Sequence, residues 1–234
     1  MNAYKTQKIW AIHAIALTCL LALNFTDALM WNFPLDYPQF MTVFGFIPEL
    51  VLEGMKSMDW PIIGIGMLQS VTYQFLHADL SHFTSNMILL FIFGIRVERY
   101  MGGWRFGLFY LLGGMLAGFG TLLLREEPAV IIGASGALSA IMGAYVAHVL
   151  FTRGKTRWDV ARGIVGTLFV SLMLAQNIFA WHLVQTGQLA SNVAFDVHIV
   201  GLAAGFVMMC VSVIRQARLS RIRVTPAPQV AALP

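Results

Sequence analysis

Six long apolar runs separated by polar segments restrict what this chain of 234 residues can fold into. A helix that crosses a lipid bilayer needs roughly 20 mostly apolar residues. Only 11% of the residues are charged and the mean hydropathy is +0.73, whereas soluble domains carry about 25% charged residues. The sequence therefore predicts an all-α polytopic membrane protein with six transmembrane helices, at residues 9–30, 82–97, 104–124, 135–151, 163–183 and 197–214.

The segment between the first two runs, residues 31–80, is apolar in patches but is interrupted by four prolines. Its apolar stretch at residues 62–67 is too short to span a membrane. Because its aromatic side chains suit the headgroup region, we expect an interfacial loop with short amphipathic pieces. The predicted organisation is an N-terminus (1–8), a six-helix membrane domain (9–214) and a basic tail (215–234).

The positive charges predict the orientation in the membrane. Cytoplasmic segments of membrane proteins carry an excess of lysine and arginine. If the N-terminus is cytoplasmic, 13 of the 15 lysines and arginines lie inside, and only Lys56 and Arg125 lie outside. We therefore expect both termini in the cytoplasm and the loop 31–80 outside. The net charge of +4 then reflects topology, and no nucleic-acid partner is predicted.

A serine and a histidine stand at the predicted outer ends of two helices. Ser135, in Gly133-Ala134-Ser135-Gly136, begins the fourth run, and His198 is the second residue of the sixth. Ionisable groups at membrane depth are costly and mark candidate functional sites. A hydroxyl nucleophile with a base at matching depth predicts covalent catalysis, with free N–H groups of the helix start stabilising an oxyanion. The alternative is that Ser135 only caps its helix.

The second predicted helix carries polar residues on its outer turns. His82 and Asn86 are four residues apart and share one helix face. Together with Ser81, Thr84 and Ser85 they form a polar group that lipid would not tolerate, so they must face protein or water. The sequence leaves two interpretations open, side-chain donors to an oxyanion or hydrogen bonds that join helices.

Small residues follow both candidate catalytic residues. Such stripes let helix backbones approach closely, which would bring Ser135 and His198 within hydrogen-bond reach, although ordinary helix packing explains them equally well. The stripes are Gly136, Ala140, Gly143 and Ala147 behind Ser135, and Gly201 and Gly205 behind His198.

The cysteines and histidines do not predict a metal site or a disulfide. Cys19 and Cys210 both fall inside apolar runs, where we expect them to act as small apolar side chains. No cluster of cysteine and histidine in the sequence has the spacing of metal ligands, so we expect no metal site. The predicted covalent catalysis by Ser135 and His198 implies no organic cofactor either.

The order of these motifs resembles that of the rhomboid family of intramembrane serine proteases. The resemblance covers about residues 9–214 and matches the six-span bacterial form of that family. The matching motifs are H-x4-H-x3-N (His77, His82, Asn86), E-R-x-x-G (Glu98, Arg99, Gly102), G-x-S-G (Gly133 to Gly136) and H-x-x-G-x-x-x-G (His198, Gly201, Gly205).

The resemblance implies a role for each of these residues. Ser135 would be the nucleophile and His198 its general base, in a dyad without an acidic third member. His82, Asn86 and the Ser135 amide would form the oxyanion hole, and the loop 31–80 would lie sideways in the outer leaflet. Glu98 and Arg99 would be a structural pair at the inner end of the second span. The structural residues near the site would be His77, Gly133, Gly136, Gly201 and Gly205.

Two residues raise questions that the resemblance does not answer. Family members often carry an aromatic residue four positions after the serine, packed on the histidine ring, and this chain has Ser139 there. Asp196 lies two residues before His198 and invites a triad. Because residues two apart do not share a helix face, we expect a loop or capping role for Asp196.

The resulting hypothesis is a serine endopeptidase of a bacterial inner membrane that cleaves transmembrane segments of other membrane proteins near the outer face. Its partners would be those substrates and the lipid bilayer. The first alternative is a catalytically silent rhomboid-like protein that binds membrane clients, although such relatives usually lack the serine or the histidine. The second alternative is a small-solute transporter, which is disfavoured because the sequence shows no inverted repeat.

Overall fold

The computed structural model describes residues 9–32, 37–125, 128–152 and 156–224, with the backbone alone for 30–32, 37–38 and 219–224. The predicted N-terminus 1–8 and the end of the predicted tail, 225–234, lie outside these residues. The described residues form helices and one isolated β-bridge between Phe46 and Ile131. The helices are α1 (Ala11–Asn32), α2 (Tyr37–Phe44), α3 (Pro48–Ser57), α4 (Trp60–Thr72), α5 (Leu80–Leu89), α6 (Ile95–Met101), α7 (Gly103–Gly120), α8 (Ser135–Phe151), α9 (Arg157–Gln185) and α10 (Phe195–Val224).

The predicted all-α membrane architecture is confirmed. A π-helical turn, Leu90–Gly94, joins α5 to α6, so that Leu80–Met101 is one continuous span. Five stretches of the described chain are long and apolar enough to cross a membrane, and α8, with 17 residues, is a shorter apolar helix. The five stretches are Ala11–Leu29, Leu80–Met101, Gly103–Leu123, Arg157–Gln185 and Phe195–Arg218.

The helix ends differ from the apolar runs where local capping extends a helix. The run 135–151 coincides with α8. By contrast, α9 begins six residues before the run 163–183 because Thr156 and Asp159 form a reciprocal capping box. Such caps satisfy the first N–H groups of a helix, which have no intrahelical partner. The apolar run marks the membrane-spanning part of the helix, and the cap marks where the helix begins.

The short helix α8 is the centre of the bundle, and most of its residues are buried. Its backbone touches that of α10. A Cβ atom on Gly143 would overlap the carbonyl oxygen of Leu202, and one on Gly205 would overlap that of Ala140. Glycine at these two positions therefore lets the two backbones meet without side chains between them.

The segment 31–80 contains the three short helices α2, α3 and α4. α4 has 13 residues and a length of about 20 Å, less than the hydrocarbon thickness of a bilayer. Large apolar side chains of α4 are exposed, among them Trp60, Ile65 and Leu68. Tyr73, just after α4, is fully buried and donates a hydrogen bond to the carbonyl oxygen of Gly114 at 2.7 Å. This contact attaches the segment to α7.

Glu98 is buried and caps the start of α1. One carboxylate oxygen accepts hydrogen bonds from the N–H groups of Trp10 and Ala11, both at 2.9 Å, and the other accepts that of Ile12 at 3.2 Å. A carboxylate is favourable at a helix N-terminus because of the free N–H groups and the helix dipole. Arg99 is exposed. Glu98 therefore joins α6 to α1, and its described hydrogen bonds do not include Arg99.

We expect Glu98→Ala to lower the free energy of unfolding by roughly 2–3 kcal/mol, since it leaves buried backbone N–H groups without acceptors. Thermal unfolding of the purified protein in detergent measures the loss. Glu53→Ala is the control, because Glu53 is exposed on α3 and should change stability little. Equal unfolding temperatures for the two variants would contradict the capping role.

Candidate functional site

Ser135 is the first residue of α8, and its side chain does not cap the helix. The N-cap position belongs to Ala134, and no side-chain cap bond is present there. Gly133, just before, has φ +109°, a conformation that L side chains rarely adopt. The interpretation of Ser135 as an N-cap serine is therefore wrong. A sharp turn at Gly133 places Ser135 at the helix start, and the Ser135 hydroxyl makes no capping hydrogen bond.

The backbone at this helix start has free donors. The hydrogen bond from the N–H of Leu138 to the carbonyl of Ala134, at 2.9 Å, is the first of the helical pattern. The N–H groups of Ser135, Gly136 and Ala137 therefore have no partner inside the helix. With the positive end of the helix dipole they form an environment that favours negative charge.

His82 and Asn86 on α5 reach the turn that precedes Ser135. A Cβ atom placed on Gly133 would lie 2.9 Å from Nε2 of His82 and 3.9 Å from Nδ2 of Asn86. The Asn86 side chain is buried, and its Nδ2 makes no hydrogen bond within the described protein. A buried amide donor without a partner is costly, so this one is available to an oxygen atom of a ligand.

His77 lies beside His82 and is buried. The two rings meet edge to face, with centroids 5.1 Å apart. Nδ1 of His77 lies 3.2 Å from the carbonyl oxygen of Phe75, which can only accept, so Nδ1 is the donor. Burial, reinforced by the neighbouring His82, lowers the pKa of His77 to about 4. His77 is therefore neutral at physiological pH, and the His82 ring packs against an uncharged imidazole.

His198 lies in the first turn of α10, next to the contact between α10 and α8. A Cβ atom on Gly201 would come 2.5 Å from the carbonyl oxygen of Gly136, and one on Gly136 would come 2.8 Å from Cγ1 of Val197. The neighbours of Ser135 and His198 thus touch. Among the described contacts there is no hydrogen bond between Ser135 and His198. The hydrogen bond that the His198 ring makes runs from Nδ1 to Oδ1 of Asn177 on α9, at 2.8 Å.

Asp196 is not hydrogen-bonded to His198 among the described residues, and it forms a partly buried ion pair with Arg125. Nε of Arg125 donates to Oδ2 at 2.8 Å, and a terminal nitrogen donates to Oδ1 at 2.7 Å. The expected loop or capping role is therefore replaced by a two-bond link between α10 and the α7–α8 connection. Such bidentate pairs fix geometry as well as contributing energy.

A cavity of about 920 Å³ opens beside these residues. Its walls include His82 from α5, Ser135 from α8 and Trp181 from α9, together with the Arg125–Asp196 pair. The cavity is therefore large enough to hold water, and Ser135 and His82 both line it.

Residues 66–215, well over half of the chain, match the family model described as "Rhomboid domain". The chain belongs to the rhomboid family. The matched region begins within α4 and includes the site and all helices from α5 to α9. The expected rhomboid bundle is thus confirmed as the fold class of this integral membrane protein, in a family that includes intramembrane serine proteases and inactive members.

The sequence is also similar to named members of the rhomboid family. The chain is 32% identical over 165 residues to "RHOMBOID-like protein 6, mitochondrial" of Arabidopsis thaliana, covering 66% of this chain and 47% of that protein. It is 31% identical over 144 residues to "Putative rhomboid protease YdcA" of Bacillus subtilis, covering 60% and 66%. "Rhomboid-related protein 2" of Mus musculus is 30% identical over 137 residues, covering 58% and 44%. The chain spans about half the length of the curated relatives it matches.

Two contacts of this rhomboid domain were missed from the sequence. Asn177 lies beside Gln176 in the apolar run of α9, and a polar residue within a membrane-spanning run is itself a signal. Arg125 is one of only two basic residues predicted on the outer side, close to the only acid at the head of the last span. Both residues could have been selected as candidates, but their partners depend on packing that spacing does not show.

Proposed function

We propose that this chain is an intramembrane serine endopeptidase that cleaves transmembrane segments of other membrane proteins near the outer face. The observation that carries the proposal is the position of Ser135, uncapped at the start of a central helix and exposed to the cavity that His82 also lines. A nucleophile, free N–H groups and side-chain donors converge there, inside an otherwise apolar bundle. Membership of the rhomboid family supports the same chemistry.

In the proposed acylation step, Oγ of Ser135 attacks the scissile carbonyl carbon and its proton passes to Nε2 of His198. The tetrahedral intermediate collapses when the peptide C–N bond breaks, and the leaving amine takes the proton from His198. The close approach of α8 and α10 at Gly136 and Gly201 supports this pairing, because it holds the two helix starts together.

The negative oxygen of the tetrahedral intermediate needs donors that are in place before the reaction. We assign this role to the N–H of Ser135, Nδ2 of Asn86 and Nε2 of His82. The unpartnered Nδ2 of Asn86 supports the assignment, since a substrate oxygen would satisfy it. His77 keeps the His82 ring in place through their edge-to-face contact.

Deacylation requires water, which enters through the cavity and attacks the acyl carbon while His198 takes its proton. The bond between the acyl carbon and Oγ then breaks, and Oγ of Ser135 takes the proton back from His198. A helical peptide bond is shielded by its own hydrogen bonds, so a substrate helix must unwind locally before it can react. Substrates with small or helix-breaking residues near the cleaved bond should therefore be preferred.

The charge distribution supports the proposed topology. With both termini in the cytoplasm, α8 and the five longer spans form a six-span bundle, and the segment 31–80 lies at the outer surface. The organisation into a cytoplasmic N-terminus (1–8), a membrane domain (9–214) and a basic tail (215–234) follows from that topology. The proposed location is a bacterial inner membrane, with membrane proteins as substrates.

A fluorescent fluorophosphonate probe tests the nucleophile directly. Full-length protein in detergent should be labelled, Ser135→Ala should lose the label, and Ser191→Ala should keep it, because Ser191 lines the same cavity. Labelling that persists in Ser135→Ala would contradict the assignment. A wild-type protein that takes no label would favour a silent, client-binding rhomboid-like protein.

We expect His82→Ala and Asn86→Ala to reduce turnover of a reporter protein whose transmembrane segment contains glycine and alanine near its outer end. The loss of one oxyanion donor costs about 3 kcal/mol, or at least about a hundredfold in kcat. Ser85→Ala is the control on the same helix, because Ser85 is exposed and its hydroxyl donates to the carbonyl of His82. Unchanged kcat in both His82→Ala and Asn86→Ala would leave these residues as helix-joining groups.

A further inference from the structure

The imidazole ring of His198 is held from a different helix, by Asn177 of α9. Nδ1 of His198 and Oδ1 of Asn177 are 2.8 Å apart. Asn177 is buried, with 8% of its surface exposed, whereas its neighbours Gln176 and Ile178 are exposed. A polar side chain buried at this depth is costly unless it has a partner, and His198 is that partner.

A second hydrogen bond fixes the orientation of the Asn177 amide. Its Nδ2 donates to the carbonyl oxygen of Met173, one turn earlier, at 2.7 Å. A carbonyl oxygen only accepts, so the atom of the amide that bonds Met173 must be the nitrogen, and the oxygen must face His198. The usual ambiguity between the two ends of an asparagine side chain is thereby removed.

The orientation of the amide determines the tautomer of His198. Since Oδ1 of Asn177 only accepts, Nδ1 of His198 must carry the proton. A neutral imidazole has one N–H, so Nε2 is left with a free lone pair. That tautomer is the one that can remove a proton from a serine hydroxyl with Nε2.

Within the described residues no other side chain is hydrogen-bonded to His198. Asp196, two residues earlier, is occupied by Arg125. Ser139, one turn after Ser135, has no ring to pack on the imidazole, and its Cβ lies against Gly201. The hydrogen bond from Asn177 is therefore the described contact that keeps the His198 ring from rotating.

We propose that Asn177 is a positioning residue, which sets the ring orientation and the tautomer of His198 without touching the substrate. The proposal rests on the proposed function, because it takes His198 as the general base. Asn177 is neutral, so it orients the imidazole as the acid of a serine–histidine–acid triad does but supplies no negative charge to the imidazolium.

Kinetics of Asn177→Leu test the proposal, with Gln176→Leu as the matched control of the same change on the exposed neighbour. For the reporter protein we expect Asn177→Leu to lose about a hundredfold in kcat, because the ring is no longer aligned. KM should change little, since substrate contacts remain. Gln176→Leu should stay within about twofold of wild type.

Asn177→Asp keeps an acceptor at the same place and should recover most of kcat. Its carboxylate favours the protonated imidazole, so the acidic limb of the pH–rate profile should move to higher pH by about one unit. The other charged or titratable groups near the ring, Asp196 with its partner Arg125 and His82, are the same in all variants. If the side chain at position 177 did not contact His198, this limb would stay where it is in the wild type.

The tautomer itself is measured without activity, by nitrogen NMR of histidine-labelled protein, with the His198 signals identified by their loss in His198→Ala. We expect the proton on Nδ1 in the wild type. A proton on Nε2 would overturn the proposal, and so would a kcat for Asn177→Leu equal to that of Gln176→Leu. If Asn177→Leu does not fold, the wild-type tautomer and the pH profile of Asn177→Asp decide whether Asn177 positions His198. If the wild type neither cleaves nor takes the fluorophosphonate label, the proposed function fails, while the NMR result still decides the hydrogen bond.

Discussion

Ser135→Ala should lower cleavage of the reporter protein by at least about 10⁴-fold, because the variant has no hydroxyl to form the acyl-enzyme. His198→Ala should cause a loss of similar size, since without a base the hydroxyl stays protonated. The two residues act as one unit, so the double variant should be no slower than either single one. Turnover is measured with purified protein in liposomes.

The fold should survive both changes. Ser135 makes no capping bond, so Ser135→Ala should lower the unfolding temperature only slightly. His198→Ala leaves Oδ1 of the buried Asn177 without its donor and should cost about 1–3 kcal/mol, without preventing folding. Ser191→Ala, in the same cavity, should cleave at the wild-type rate. Retained turnover in Ser135→Ala would refute a serine mechanism at this site. A double variant much slower than the single ones would show that the two residues act independently.

Gly205→Ala should destabilise the protein by about 3 kcal/mol or more, or prevent its accumulation in the membrane. The added methyl group would occupy the place of the Ala140 carbonyl oxygen, which is backbone and cannot turn away. α10 would have to move from α8, and this separation would also carry His198 away from Ser135. The measurements are the unfolding temperature in detergent and the yield of folded protein.

Gly107→Ala is the matched control for that variant. Gly107 lies on the membrane-spanning helix α7, and nothing lies within 4 Å of the place where its Cβ would be. Alanine is the better helix former by roughly 0.8–1 kcal/mol, so this variant should be slightly more stable than wild type. A Gly205→Ala protein as stable as Gly107→Ala would mean that the two helices are not in backbone contact.

The sequence predicted the membrane helices well because lipid leaves few alternatives. A long apolar run must satisfy its backbone within itself, and α8 therefore begins and ends where the run 135–151 does. The turn before Ser135 also has a signal in the sequence, because Gly133 stands two residues before the serine and glycine permits sharp turns. Capping contacts were not visible in the same way. The acceptor for the first N–H groups of α1 is Glu98, 87 positions away from Ala11, and backbone groups leave no pattern in a sequence.

The sequence indicated which residues lie close together at the candidate site, but not which hydrogen bonds join them to the rest of the bundle. The spacing of His82 and Asn86 placed both on one face, and the structure puts both beside Gly133. No spacing rule links Asn177 to His198, because their contact depends on how far α9 is rotated and raised relative to α10. Asp196 was correctly predicted not to be hydrogen-bonded to His198. Its partner Arg125 lies 71 positions away in the sequence, and only the fold brings the two side chains together.

The π-helical turn Leu90–Gly94 determines in which directions the side chains at the two ends of the second span point relative to each other. Asn86 and Glu98 are twelve residues apart, and a regular α-helix would place them about 120° apart around its axis. A π turn takes up one extra residue, which removes about 100° and leaves the two side chains nearly in line. Both are buried, one beside the turn that precedes Ser135 and the other against the start of α1. A regular helix of the same length would turn one of these two polar groups toward lipid. The π-helical turn therefore allows one span to place Asn86 beside the candidate site and Glu98 against the start of α1.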